Sequence, residues 1–370
     1  MATLYQPARF THIDIARGIS ILLVLLGHNW IALHDPEQLL NFVASFRMPL
    51  LFFLAGLFLK PALSFPQLVA GKADALLKPY AVTLLALGAV HILTGKTDAA
   101  NYLTGMLYGN GATVPWMPLW FLTHLFAVYL FGWVSCRLFN LPAQRQWIQC
   151  TFLVMLLWAG FEMLDVFWRM PPQGYTGVVA LLEEPFMMPG LPFSADLLPI
   201  SGAFFLLGYF CRDEAKHLRI MPFWFVAALA AFVLVHLYLP NRIDLNMRRY
   251  DSLVVPTVTS LLAIYLVLSV ARMLAGIAPI ARLLSCIDSA SLFLLLFHTP
   301  VQYKSYALFT RVFGEAVYLN GVLSFVATIV ACLFLFEVVR RVGPLRRLIL
   351  PQNRQPGGHL SPAAAAPTPT

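Results

Sequence analysis

Ten apolar runs, each near the length that crosses a bilayer, govern what this chain can fold into. They cover residues 15–32, 49–63, 80–93, 118–138 and 147–167, then 197–211, 222–239, 253–274, 291–309 and 316–339. Inside hydrocarbon every backbone N–H and C=O needs an internal partner, so only helices or a closed barrel can span. The runs lack the alternation of barrel strands, which leaves helices. Several are shorter than the ~20 residues of a straight span, so their ends are expected to shift by several positions. Pro115, Pro118 and Pro199 sit at run ends or in first turns, where a helix tolerates them. The expected fold is an all-α polytopic membrane protein, a bundle of about ten transmembrane helices with no large soluble domain. Residues 1–350 would form the membrane-embedded domain, and 351–370, dominated by Pro, Ala and Thr, a disordered cytoplasmic tail.

Composition agrees with this reading and closes other classes. Of 370 residues 59% are hydrophobic and 11% charged, too few charges to coat a water-facing surface. The net charge of +8 comes without a basic, aromatic-laced stripe, so nucleic acid is not an expected partner. Five cysteines stand singly in apolar stretches, which excludes a disulfide scaffold. A phosphate-cradling glycine loop, a zinc helix, a paired Cys-x-x-Cys and a serine nucleophile elbow are all missing from the sequence. No metal is expected.

Lys and Arg set the orientation. With the N-terminus in the cytoplasm, 16 of the 25 basic residues fall in inner segments and 8 in outer ones, while Arg17 lies within the first run. Both termini are therefore expected inside, in a bacterial-type inner membrane, with the loop 168–196 outside. The first run follows Arg9 as a signal peptide would, but it ends in Gly27-His28-Asn29-Trp30 with no small-residue cleavage site, so it is expected to be retained.

That first run also carries Asp14, Arg17 and His28. Ionisable groups are costly at membrane depth and usually face a protein interior or a watery cavity. At about 100° per residue, the eleven steps from Arg17 to His28 return to nearly the same helix face, and Asp14 lies one turn before Arg17. One stripe thus holds a carboxylate and a guanidinium near the inner end and an imidazole about 16 Å further along. Two readings follow from spacing. In one, Asp14 and Arg17 anchor the helix end and His28 bonds to a neighbouring helix. In the other, the stripe is a functional path.

Here the chain resembles a family. Ile13-Asp14-Ile15-Ala16-Arg17-Gly18, with ten residues between Arg17 and the His28 of Gly27-His28, is similar to the signature of the acyltransferase-3 family of integral-membrane O-acyltransferases. The string from Phe46 through Arg47 to Gly56 resembles its second-helix motif, although Ala55 stands where the family usually has Ser. Leu119-Trp120-Phe121 resembles its Trp-Phe motif, and Ser291, seven residues before His298-Thr299-Pro300, its late Ser…His-x-Pro motif. The resemblance runs from about residue 10 to 344 and is greatest to fucose-type and exopolysaccharide O-acetylases.

The resemblance implies acyl transfer from a cytosolic thioester, acetyl-CoA or another acyl-CoA, to a hydroxyl of an envelope glycan or its lipid-linked precursor. Membrane lipids and glycan-synthesis machinery would be partners; oligomeric state stays open. His28 is the expected general base, since a neutral imidazole suits removal of a hydroxyl proton near pH 7. Arg17 would either stabilise the thioester oxyanion or grip a CoA phosphate. Arg47, Trp120, Ser291, His298, Glu162 and Asp165 are candidates for donor or acceptor binding. For Glu162, Asp165 and Arg169 a solvated ion-pair cluster is the competing reading, as a loop ion pair is for Arg248, Arg249 and Asp251. His91 and His236 read as structural. The alternative function is a secondary transporter or flippase that uses the Asp14, Arg17 and His28 stripe as a proton or substrate path.

Overall fold

The computed structural model describes residues 10–166 and 190–352. Among them, each of the ten apolar runs lies on a helix. Seven helices are long and apolar enough to cross a membrane, and an eighth candidate is a pair bent by 78°. The other two runs lie on helices of 17 residues each.

In chain order the first helix, α1, is Thr11–Gly27, followed by a short α2 at Trp30–His34. Next come α3 (Glu37–Gly56), α4 (Phe65–Leu93), α5 (Ala99–Tyr108), α6 (Met117–Leu138) and α7 (Gln146–Val166). After the undescribed stretch, α8 is Pro192–Phe210 and α9 is Pro222–Tyr238. A two-stranded antiparallel hairpin, β1 (Ile243–Asp244) and β2 (Arg249–Tyr250), leads into α10 (Val254–Leu274). The bent pair is α11 (Ala278–Ser289) and α12 (Ser291–Phe313), and α13 (Val317–Arg341) completes the bundle.

The runs misplace several ends, for a physical reason. An apolar run detects only the lipid-facing middle of a helix. The run 80–93 is the C-terminal half of α4, whose N-terminal half carries Lys72, Asp74 and Lys78. There Lys78 Nζ pairs with Asp74 at 2.5 Å and donates to the Leu350 carbonyl at 2.7 Å, so the charges within the helix are satisfied by each other and by the chain's C-terminal segment. The run 49–63 overshoots in the other direction: α3 begins at Glu37 and ends at Gly56. The tail expected over 351–370 lies outside the described residues beyond Gln352, as do Arg169, Glu183 and Glu184 of the loop 168–196.

Burial separates a centre from a periphery. The apolar windows of α3, α6 and α8 are each 67% buried, whereas those of α4, α7 and α13 are 28%, 17% and 22% buried. Outward residues such as Leu85, Trp158, Val330 and Phe334 form the lipid-facing coat. Lipid gives no hydrophobic push between helices, so close packing must hold the centre. Gly56 lies against the Phe205 carbonyl and Gly208 against the Phe53 carbonyl, so α3 and α8 touch backbone to backbone. Gly18 does the same for α1 against the Leu284 carbonyl of α11.

Candidate active site

Two helix breaks build the site. The α-helical turns of α1 stop at Gly27, and His28 is its C-cap (φ −109°, ψ 7°). Asn29 then caps α2: its Oδ1 accepts the Ile31 N–H at 2.9 Å, while its Nδ2 donates to the Gly321 carbonyl (3.1 Å) and Ser324 Oγ (3.4 Å) on α13. The run 15–32 reads as one span in sequence; the structure interrupts it at His28, because a capping Asn follows and is docked on another helix. The second break, at Ser45–Phe46, restarts the α3 helix at Arg47. It is stitched by Ser45 Oγ to His236 Nε2 (3.0 Å) and by Ser260 Oγ donating to the Ser45 carbonyl (3.1 Å).

The breaks face each other. Gly27 lies against the Arg47 guanidinium, leaving no room for a side chain there. The His28 ring lies 5.3 Å, centroid to centroid, from that of His298 on α12. Arg47 and His298 are buried and His28 is partly accessible. Nδ1 of His298 contacts the Leu294 (2.8 Å) and Leu295 (3.1 Å) carbonyls, which puts the proton of a neutral ring on Nδ1 and leaves Nε2 as an acceptor. Gln302, one turn further on α12, donates to the Leu25 carbonyl at 3.4 Å. Three buried atoms at this centre have no hydrogen-bond partner: Arg47 Nη1, His298 Nε2 and Gln302 Oε1. Buried polar groups are rarely left so, and unpaired ones at a shared point suit a site that a substrate completes.

The sequence candidates divide. His28, Arg47 and His298 come together. Arg17 and Asp14 lie at the opposite end of α1, where Arg17 Nε pairs with Asp288 Oδ1 of α11 at 3.2 Å and its guanidinium lies 5.5 Å from the Phe58 ring. The cation beside His28 is thus Arg47, and Arg17 is about 16 Å away along the helix. Ser291 opens α12 at the bend, near Asp288 and away from His298. Trp120 is buried against His124 (5.4 Å). His124 is itself satisfied by the Phe193 carbonyl (3.1 Å) and Ser201 Oγ (3.0 Å), so this cluster is core. Glu162 is exposed on α7; the side chain of Asp165 and all of Arg169 lie outside the described residues. Arg248 forms a buried two-point ion pair with Asp196 (3.0 and 3.2 Å), and Arg249 an exposed one with Asp251. Among the described residues no group of three His, Cys, Asp or Glu could hold a metal.

Sequence reasoning missed Asp288, Gln302 and Asn29. Gln302 shares the His298 face at i+4, and Asn29 adjoins His28; both were legible as spacing. Asp288 was not, because its partner is 271 residues away in the chain.

A family profile described as an acyltransferase domain matches residues 10–337, nearly the whole bundle and all of the site above. The chain belongs to the acyltransferase-3 family. It is an integral-membrane acyltransferase, and family membership favours the enzyme over the transporter or flippase reading. No curated protein and no solved structure matches the chain.

Proposed function

We propose that this acyltransferase moves an acyl group, acetyl as the expected case, from acyl-CoA to a hydroxyl of an envelope or exopolysaccharide glycan or its lipid-linked precursor. The observation that carries the reading is the His28–His298 pair at 5.3 Å with the buried Arg47, whose Nη1 has no partner, packed against the adjoining Gly27. A sugar hydroxyl is a poor nucleophile, and a ring nitrogen of His28 takes its proton as the oxygen attacks the thioester carbonyl. The carbonyl oxygen becomes an oxyanion, which the fixed Arg47 cation stabilises. The intermediate collapses to the ester, the C–S bond breaks, and the imidazolium returns the proton to give CoA-SH. His298, its Nδ1 clamped on helix carbonyls, keeps Nε2 unpartnered with its ring 5.3 Å from that of His28, and in the acceptor-bound state this nitrogen takes the His28 N–H and orients the base, as the third group of a catalytic triad does.

Arg17, held by Asp288 at the inner end, serves the donor there as a phosphate-matching guanidinium. The donor then enters from the Arg17 end and the acceptor from the His28 end. The basic-residue count supports this arrangement, with cytoplasmic termini and His28 toward the outer face of an inner membrane.

The test is glycan-dependent CoA release by purified protein. The His28→Ala protein should insert, purify as a single species, bind acyl-CoA and lose transfer by about 10²–10⁴-fold, the usual range for general-base loss. Near-native turnover in that folded variant would remove the mechanism.

A further inference from the structure

The bend between α11 and α12 is 78°, so α11 lies nearly crosswise at the Arg17 end of the bundle. Its residues divide into two faces. Ala281, Leu284, Ile287 and Asp288 are buried, and this face meets α1 through the Gly18–Leu284 contact and the Arg17–Asp288 pair at 3.2 Å. Arg282, Ser285, Cys286 and Ser289, spaced i, i+3, i+4 and i+7, form the other. With Thr11 and Ala281 they line an open cleft of about 410 Å³, within the ~300–1,000 Å³ usual for small-molecule sites.

The cleft is chemically one-sided. No acidic side chain lines it. Arg282 Nε donates to the Ala278 carbonyl at 3.3 Å, and its guanidinium pairs with no carboxylate among the described residues. The hydroxyls of Thr11 and Ser285 bond to no other described residue, while Ser289 Oγ donates to the Ser285 carbonyl at 2.8 Å. The cleft also adjoins Arg17. Ser289 directly follows Asp288, which holds Arg17, and Arg282 lies six residues, or about 9 Å, before Asp288 along α11. Two guanidinium groups are thus set apart along one helix, with unused hydroxyl donors beside the second.

We propose that this cleft takes the nucleotide end of acyl-CoA, with Arg282 and the Thr11 and Ser285 hydroxyls on the 3′-phosphate and Arg17 on the pyrophosphate. A guanidinium meets phosphate oxygens at two points, and hydroxyl donors complete the set. Acyl-CoA carries two phosphate centres separated by its ribose, which matches two cations separated along α11. The thioester arm then runs along α1 toward His28. The proposal rests on the acyl-CoA reading for the identity of the donor.

Calorimetric titration of CoA and of dephospho-CoA, which lacks the 3′-phosphate, into the detergent-solubilised full chain tests it. The native protein should prefer CoA by about tenfold or more, the range of one hydrogen bond to a charged group. Arg282→Gln should weaken CoA by that factor and leave dephospho-CoA unchanged, and Arg282→Lys should keep part of the preference. Arg17→Ala should weaken both ligands alike. Arg145→Gln, an exposed cation between α6 and α7, should change neither. Each variant is first checked for a monodisperse elution profile, and either substitution at 282 that folds suffices. A native protein indifferent to the 3′-phosphate, or an Arg282→Gln loss shared equally by the two ligands, overturns the proposal. Inorganic phosphate and short-chain phosphatidylglycerol are titrated in parallel; dependence on Arg282 confined to either one overturns it by giving the cleft to a free phosphate or a lipid headgroup. Glycan-dependent CoA release with no effect of Arg282 on CoA binding removes this proposal alone. CoA binding that follows Arg282 in a protein without such release keeps it and removes the acyl-transfer reading.

Discussion

Gly27→Ala separates the role of Arg47 from the mere presence of its charge. A Cβ at position 27 would overlap Arg47 Nη1 and come within 2.8 Å of its Cζ, with Val43 Cγ1 at 3.5 Å on the other side. To regain ordinary contact near ~3.5 Å, the guanidinium must retreat by roughly 1–2 Å. Arg47 is only 7% exposed and Val43 fully buried, so the guanidinium has no open space to retreat into and must leave its native position. Loss of one oxyanion donor typically costs ~10²–10³ in kcat, about 3–4 kcal/mol of transition-state stabilisation. Stability should change little. Gly27 has no left-handed backbone, and Ala is favoured over Gly in a helix by up to about 1 kcal/mol, which offsets the local crowding. The assay is initial-rate CoA release by purified protein, with thermal unfolding followed by intrinsic fluorescence in the same detergent. Gly27→Ala should lower kcat about 100-fold with an unfolding midpoint within a few degrees of native. In an Arg47→Lys background, where the narrower side chain leaves room, the same substitution should cost less than about tenfold, a non-additivity expected of touching residues. Equal losses in both backgrounds, or none in the native one, would refute the oxyanion assignment of Arg47.

Two further predictions concern the ends of the bundle. Arg17→Ala should raise the KM for acyl-CoA by about tenfold or more with a smaller change in kcat, Arg17→Lys should keep part of the affinity, and Asp288→Asn should shift KM in the same direction; unchanged acyl-CoA dependence in Arg17→Ala would make the Arg17–Asp288 pair purely structural. Asp196→Ala strands the buried Arg248 and should cost ~3–5 kcal/mol, whereas Asp251→Ala, which breaks the exposed pair with Arg249, should cost under about 1 kcal/mol. Thermal unfolding of the two variants side by side checks this, and similar midpoints would contradict it.

Sequence alone determined the class of fold and one strand of the site. The apolar runs demanded membrane helices because hydrocarbon leaves the backbone no other partners, and all ten lie on helices among the described residues. Local periodicity predicted one face for Arg17 and His28, and the motif residues pointed to the family that the profile match establishes. The same periodicity could not say what stands beside His28. Helical repeat relates residues within one element, but the companions of His28 come from two others: Arg47, aimed by the break at Ser45–Phe46, and His298, 270 residues on. Whether Gly27-His28-Asn29 continues a helix or ends it depended on the docking of Asn29 against Gly321 and Ser324, a contact no local pattern encodes.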